Sequence, residues 1–267
     1  MTTAIWTGLV ATTLYLIASL LAARQLRSSG TPQRLSFLGL GTLALLFHAC
    51  ALWHVIIVDG GVRLGLFPVA SLIGATGAAI VILSNLYRRL EWVSLMVFPF
   101  NAAIVPAALF IQTGYQPHPL EHGLGLHVLT AILAFAVLAI ATCHGILVLL
   151  QHYQLKQGHI RGVMRLFPPI QVMETMLFEL LWAGVILLWL AIVAGFLFIN
   201  DLFAQQVAHK ALFTLVSALL FSALLAGHHL LGWRGVTAVR ITVAAFALLL
   251  LGFFGSQVVL EIILERR

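Results

Sequence analysis

An apolar stretch between residues 121 and 151 carries side chains well suited to chemistry. It begins E-H-G-L-G-L-H, which places His127 where a membrane-spanning helix would leave the water, and His144 follows 17 residues later. At about 1.5 Å per residue the two imidazoles lie roughly 25 Å apart along one helix, close to the ~30 Å thickness of a hydrocarbon layer. Imidazole binds metal ions and haem iron, and ionisable groups within membrane spans are candidates for function. One helix therefore offers imidazole at both faces of a bilayer.

Composition places the chain in a membrane. Hydrophobic residues make up 62% of it and charged residues 8%, against roughly 25% charged in soluble domains. Continuous apolar runs of about 20 residues favour spanning helices over the short alternating strands of a membrane β-barrel. The formal net charge of +6 is concentrated in particular loops, which indicates membrane topology rather than nucleic-acid binding. Cys50 and Cys143 lack C-x-x-C spacing, which argues against thiol–disulfide chemistry.

Eight apolar segments are predicted to cross the membrane as helices of a single all-α domain over residues 1–267. They cover residues 4–23, 35–58, 66–86, 92–111, a fifth segment within 121–151, 172–198, 209–231 and 236–260. Of the 14 Lys and Arg, all but Arg63, Lys210, Arg266 and Arg267 then fall on one side. The excess of basic residues places that side in the cytoplasm, so both termini are predicted outside. The start, M-T-T-A-I-W, is interpreted as part of an uncleaved first helix.

This topology sorts the histidines by depth. An outer set consists of His54, His118, His122, His127 and His209, an inner set consists of His144, His228 and His229, and His48 lies between the two sets. Two axial ligands of one haem iron need nearly the same depth, so His127 can pair with His54 or His209 but not with His228. The alternative for each histidine is an interfacial or packed side chain that binds no ligand.

An acidic residue accompanies the inner set. Glu179 lies ~10 Å beyond the start of the sixth apolar segment, at about 1.5 Å per residue. A charged carboxylate at such a depth costs roughly 2.5 kcal/mol or more unless it is paired or hydrated. Glu179 is therefore predicted to share a polar pocket with His144 and His228.

Four short passages stand out in the second half of the chain. They are G-L-H-V-L-T-A-I-L-A-F-A at 125–136, P-P-x-x-x-x-E at 168–174, G-H-H-L-L-G-W-R-G at 227–235 and F-F-G-S-Q-V-V-L-E at 253–261. Through them, residues 66–260 resemble the cytochrome c assembly protein family, in particular its short eight-helix branch in the bacterial inner membrane. The G-W-R-G turn, with Trp233 and Arg234 at its centre, is the most specific short piece.

The resemblance implies haem as a cofactor and histidines as its ligands. His127 matches the family's outer ligand, and His228 matches an inner ligand, with His229 as the alternative register. The tryptophan-rich outer motif of the haem-presenting members is absent, and only the pair His209-Lys210 is similar to its end. The family's second inner and second outer histidines also lack counterparts. The resemblance therefore implies an inner-membrane protein without the complete haem-presenting apparatus.

Three functions are compatible with these observations. The first is a haem-associated accessory protein of cytochrome c assembly or haem homeostasis, which binds haem non-catalytically and has membrane lipid and cytochrome c maturation proteins as partners. The second is a membrane regulator of tetrapyrrole synthesis, whose basic 152–165 loop contacts a cytosolic enzyme. The third is a secondary transporter of a small molecule or ion that uses Glu179, although no internal repeat supports it. The sequence has no nucleotide-binding loop, H-E-x-x-H spacing or nucleophile motif, so no enzyme activity is expected.

Overall fold

The computed structural model describes residues 2–27, 34–87, 91–111, 117, 119, 123–158, 167–198 and 205–258. The helices are α1 (Thr2–Arg27), α2 (Arg34–Ile56), α3 (Leu66–Tyr87), α4 (Glu91–Phe110), α5 (Leu124–Lys156), α6 (Ile170–Phe198), α7 (Gln205–Leu231) and α8 (Gly235–Leu250). A small hairpin, β1 (Ile57–Val58) and β2 (Gly61–Val62), joins α2 to α3. These elements position every candidate side chain that the structure describes.

Within the described ranges, eight helices are long and apolar enough to cross a membrane, which confirms the predicted all-α, eight-helix membrane protein. Apolar segments become helices in hydrocarbon because each backbone N–H must find its acceptor within the segment. Helix α5, with 33 residues, is about 50 Å long. A spanning helix needs roughly 20 residues, so α5 is longer than one membrane crossing requires. The orientation of the termini stays a prediction.

Contacts divide the chain into two compact units, one formed by residues 1–120 with 257–267 and the other by residues 121–256. The first unit holds α1 to α4 and the hairpin, and the second holds α5 to α8. The single domain over residues 1–267 stays a prediction.

In the first unit, α1 packs against α2 and α4, and α3 packs against the same two helices. Tyr15, Phe37 and Phe98 are fully buried in its core. The ring of Phe98 occupies the space that a side chain at Gly41 would need. Glycine at this position therefore lets α2 and α4 approach closely, as small residues do between membrane helices.

Helix α2 ends at Ile56, two residues before its predicted end, because a glycine-rich turn follows it. Gly60 and Gly61 have φ angles of 96° and 136°, in the left-handed region that side chains disfavour. The loop of Asp59 and Gly60 folds β2 back on β1, with Val58 opposite Gly61. The predicted helix of residues 35–58 is thus shortened by a hairpin.

In the second unit, α5 and α7 each pack against both α6 and α8. Paired contacts give the helix directions: Gly145 with Leu177 and Gly184 with Leu138 between α5 and α6, and Phe178 with His228 and Trp189 with Ser222 between α6 and α7. In both pairs of helices the residue numbers run in opposite directions, so the helices are antiparallel. Helices α5 and α7 therefore begin at one end of this unit, which we call the His127 end, and α6 begins at the other, the His228 end.

Helix α8 ends at Leu250, and a π-helical turn, Leu251–Gly255, continues it, where the sequence predicted an unbroken helix to residue 260. Gly252 in this turn is buried against Phe213 of α7. The wider turn places both Phe254 and Phe253 near Phe135 of α5, with ring centroids 5.4 and 6.4 Å away. Such turns occur frequently near functional sites.

Candidate functional site

His127 lies in the first turn of α5 and is half-buried. The chain enters this turn through Gly123, which has a φ of 90° and accepts a hydrogen bond from the Leu126 amide. The Nδ1 atom of His127 lies 2.8 Å from the carbonyl oxygen of Ala191 on α6. A carbonyl oxygen only accepts, so Nδ1 carries a proton and donates it, and in the neutral ring the lone pair is on Nε2.

His228, near the end of α7, has the same arrangement. Its Nδ1 atom lies 2.8 Å from the carbonyl oxygen of Trp233, so Nδ1–H donates here as well. The ring of Phe178 on α6 stacks on the imidazole, with centroids 3.5 Å apart and planes at 18°. The hydrogen bond and the stacking together restrict the rotation of the His228 side chain.

The G-W-R-G turn supports this histidine. Gly232 and Gly235 have φ angles of 69° and 56°, so two left-handed residues flank the turn. The Trp233 amide donates a 3.1 Å hydrogen bond to the Gly227 carbonyl. The indole of Trp233 lies over Gly227, where any side chain would overlap it. Arg234, the next residue, is exposed at the start of α8.

Glu174 also lies at the His228 end of the unit, although the sequence did not identify it as a site residue. One of its carboxylate oxygens lies 3.5 Å from where a Cβ at Gly235 would be, beside the N-terminus of α8. A helix N-terminus favours a negative charge. The P-P-x-x-x-x-E passage, which ends at Glu174, was the signal that could have identified it.

His229 differs from its neighbour. It is exposed, and its ring lies 5.8 Å from that of Trp182 and 5.3 Å from that of His228, centroid to centroid. These are edge and tilted contacts between rings. They leave the orientation of the His229 imidazole less restricted than that of His228.

The anchors of His127 and His228 lie far apart on α6. Ala191 and Phe178 are separated by 13 residues, about 20 Å at 1.5 Å per residue. The two imidazoles therefore lie at different depths, too far apart to serve as axial ligands of one iron.

The two histidines named from the sequence as partners of His127 fall in different units. His209 is exposed at the start of α7, and it therefore lies at the His127 end of the same unit. His54 is exposed near the end of α2, in the first unit. Its pairing with His127 stays a prediction. His118 and His122 lie outside the described residues.

Two further histidines connect helices in the interior of their units. His48 is buried, with Nε2 2.8 Å from the Ser71 hydroxyl and Nδ1 3.4 Å from the Tyr15 hydroxyl. His144 is fully buried, and its Nε2 donates to the carbonyl of Met173 over 2.7 Å. Neither ring presents a nitrogen at a surface, which indicates a role in helix packing.

Glu179 and His144 lie in different environments, and a polar pocket shared by Glu179 and His228 stays a prediction. Glu179 is exposed, whereas His144 is fully buried against Met173. Six residues separate Glu179 from Met173, which is about 9 Å along α6 and roughly 120° around its axis. Glu179 and Met173, the residue that His144 contacts, therefore lie on different faces of α6. The transporter alternative, which uses Glu179, stays a hypothesis.

The two anchored histidines share an arrangement that is common among metal-binding histidines. A metal-binding histidine commonly donates its second ring N–H to a backbone carbonyl or carboxylate, which sets the tautomer and leaves the other nitrogen to the metal. His127 and His228 each meet this condition through Nδ1. A porphyrin supplies the equatorial donors itself, so single histidines suffice as axial ligands. The residues present therefore fit haem.

Comparisons with known proteins identify a family and several relatives. The model of the family described as "Cytochrome C assembly protein" matches residues 38–264. "Inner membrane protein YpjD" of Escherichia coli strain K12 is 29% identical over 242 residues, which cover 89% of this chain and 91% of that protein. An "Uncharacterized 28.8 kDa protein in nifR3-like 5'region" of Azospirillum brasilense is 25% identical over 233 residues, 84% of this chain and 85% of that protein. No solved structure gives a significant match.

Proposed function

This chain belongs to the cytochrome c assembly protein family, and from that premise we propose that it is a non-catalytic accessory protein that binds haem through histidine. The membership itself supports a role in cytochrome c biogenesis. Eight spanning helices and the inner-membrane relative place the protein in the inner membrane, as a multi-pass protein. Haem binding and the accessory role are the proposed part.

The geometry of His127 carries the proposal. The Ala191 carbonyl, 64 residues further along the chain, holds the Nδ1–H of this histidine at 2.8 Å. A histidine that only packs between helices is buried, as His144 is, and neither of its ring nitrogens reaches a surface. His127 instead is half-buried and keeps an oriented Nε2 lone pair at the end of its unit.

The residues around His127 orient and support its imidazole for ligand binding. Bound haem would supply the iron that the imidazole ligates. The Ala191 carbonyl fixes the ring orientation of His127 and, by accepting a hydrogen bond from Nδ1–H, raises the basicity of the ligand nitrogen. Gly123 starts the helix one turn earlier, and Phe198 packs against it. The ligand is therefore pre-organised before haem arrives.

An accessory role is proposed because the chain lacks sequence features of the haem-presenting members. Their tryptophan-rich outer motif is absent from this chain, and no nucleophile or nucleotide-binding motif is present in it. Binding without transfer is the function that the remaining histidines can perform. Cytochrome c maturation proteins are the partners that this function implies.

The test is the absorption spectrum of the purified full-length protein. We expect a Soret band with the features of axial histidine, and we expect His127→Ala to abolish or shift it because the oriented ligand is lost. Added imidazole should restore the band. The matched control is His152→Ala, which removes a half-buried histidine from the far end of the same helix. A His127→Ala protein with wild-type haem content and spectrum would contradict the proposal.

The length of α5 favours a second candidate, the regulator with a cytosolic partner. The helix has 33 residues, about 13 more than a span of roughly 20 requires. Its last two turns expose Tyr153, Leu155 and Lys156. A helix end that carries apolar and basic side chains is a suitable surface for an acidic partner. A pull-down with wild-type protein and with Tyr153→Ala/Lys156→Ala separates this function from haem binding, because these residues are remote from His127.

A further inference from the structure

We propose that Trp233 and Gly227 act together to hold His228 in the one tautomer and orientation in which Nε2 is the ligand nitrogen. Trp233 is thus a positioning residue, which acts through the imidazole of His228. The inference rests on the proposed haem-binding function. It also decides between His228 and His229, the two registers that the sequence leaves open.

The proton of the neutral His228 ring lies on Nδ1. The acceptor of the His228 Nδ1 atom is a backbone carbonyl oxygen at 2.8 Å, which has no proton to give. Neutral imidazole carries one N–H, so the lone pair lies on Nε2. A carbonyl that accepts the second N–H orients a ligating histidine and increases its basicity.

The second step concerns what keeps the carbonyl in place. The amide of Trp233 donates to the Gly227 carbonyl over 3.1 Å, and the carbonyl of Trp233 accepts from His228. The backbone of this one residue is therefore tied to two consecutive residues at the end of α7. Left-handed Gly232 makes the sharp reversal possible, with a φ of 69°.

The third step concerns the indole. Trp233 packs its ring directly on Gly227, and a Cβ at this position would overlap three of its ring atoms. The indole of Trp233 can therefore pack here only because residue 227 is a glycine. The position of the indole in turn determines where the Trp233 carbonyl lies. Phe178 completes the arrangement, since it stacks on the other constrained ring, His228, at 3.5 Å.

His229 provides the internal comparison. It is the next residue of the same helix and is exposed, and its described contacts are with the rings of Trp182 and His228. An imidazole that is not pre-oriented loses more rotational freedom on binding a ligand. Of the two adjacent histidines, His228 is therefore the better ligand.

The first measurement needs no haem. In a nitrogen NMR spectrum of the full-length protein with isotope-labelled histidine, the His228 signals are those lost in His228→Gln. We expect Nδ1 to be protonated and Nε2 to be unprotonated. A His228 ring that is protonated on Nε2 in the wild-type protein would overturn the inference, whether or not haem binds.

The second measurement uses Gly227→Ala, which displaces the indole and with it the carbonyl. We expect the single-tautomer signature of His228 to be lost. The control is Gly145→Ala in α5, where the nearest atoms to the new Cβ are at an ordinary 3.5 Å. If Gly227→Ala yields no folded protein, Trp233→Ala tests the same seat, and Trp233→Phe, which keeps an aromatic ring, should restore the signature. Wild-type His228 signals in the folded Gly227→Ala or Trp233→Ala protein would contradict the inference.

Measurement of haem binding distinguishes the proposed haem-binding function from the positioning role of Trp233 and Gly227. Gly227→Ala should weaken haem binding about 10- to 100-fold, the usual effect of removing support from a metal ligand, and Gly145→Ala should not. Absence of a haem band in the wild-type protein would overturn the proposed function alone, and the nitrogen measurement would still decide the positioning role. If the wild-type haem signal changes in His228→Gln, wild-type affinity and axial-histidine features in Gly227→Ala would overturn the positioning role alone.

Discussion

The Nε2 atom of His144 lies 2.7 Å from the carbonyl oxygen of Met173, so this histidine is protonated on the nitrogen opposite to the one that His127 uses. Both residues lie on α5, and both bond to a carbonyl of α6. The difference is burial, because His144 is fully buried and His127 is half-exposed at the helix start. Two histidines on one helix thus differ in burial and in the ring nitrogen that donates.

Replacement of His144 tests the structural task. His144→Ala removes the donor to Met173 and leaves a cavity between α5 and α6, so we expect a loss of about 1–3 kcal/mol from the hydrogen bond and more from the packing. Thermal unfolding in detergent measures it. Haem content per folded molecule should equal that of the wild type, and a selective loss of haem from folded His144→Ala would contradict this assignment.

The pair of His48 and Ser71 tests the polar link in the first unit. Their 2.8 Å hydrogen bond is buried and joins α2 to α3, so both His48→Ala and Ser71→Ala should lower the melting temperature. The double variant should lose less than the sum, with a coupling energy of about 0.5–3 kcal/mol. Additive losses would show that the two side chains do not interact.

Close packing of α5 on α6 depends on Gly184. A Cβ there would lie 2.5 Å from the Leu138 side chain, so Gly184→Ala should destabilise the protein by about 1–3 kcal/mol. Gly39→Ala is the control, since nothing lies within 4 Å of its new Cβ. In a helix, alanine at this position should be neutral or stabilising by roughly 0.5–1 kcal/mol. Equal melting temperatures for the two variants would contradict the packing argument.

His209 is the residue of the second unit that we expect to complete the ligation at the His127 end. It is exposed at the start of α7, which begins at the same end of the unit as α5. If His209 is the second axial ligand, His209→Ala should convert a low-spin haem spectrum into a high-spin one, because one strong-field ligand is lost. An unchanged low-spin spectrum would show that His209 is not an axial ligand. The control is His229→Ala, which removes a histidine at the opposite end of the unit.

Topology follows from the arginines. Alkaline phosphatase fused within residues 24–34 or 152–165 should be inactive, because these basic loops are predicted in the cytoplasm, where the enzyme's disulfides do not form. Fusion within 113–123, which contains no Lys or Arg, should be active. Activity from the 152–165 fusions would reverse the orientation and the assignment of outer and inner histidines with it.

Positions along each helix could be predicted from the sequence. The third span, predicted at 66–86, is observed at Leu66–Tyr87, and the fourth, predicted at 92–111, is observed at Glu91–Phe110. Hydrocarbon thickness and the obligatory pairing of backbone groups determine where an apolar segment begins and ends. The rise per residue then separated His127 from His144 and His228 by depth. Local turns were less predictable. The π-helical turn after α8 lies within an apolar run. The hairpin after α2 is marked by Asp59, Gly60 and Gly61, but its first strand continues the apolar run of α2, so residues 57–58 were predicted as helix.

The direction in which each side chain points was decided by the tertiary structure. In a membrane span every face of a helix is apolar, so the pattern of residues does not tell the protein-facing side from the lipid-facing side. Burial of His144 and exposure of Glu179 follow from which face of α5 meets α6 and which face of α6 lies outside that contact. The protonated nitrogen of His127 depends on the Ala191 carbonyl, a partner 64 residues away that only packing brings within hydrogen-bond distance. The residue types were therefore evident from the chain, whereas the available ligand nitrogen was set by contacts between helices.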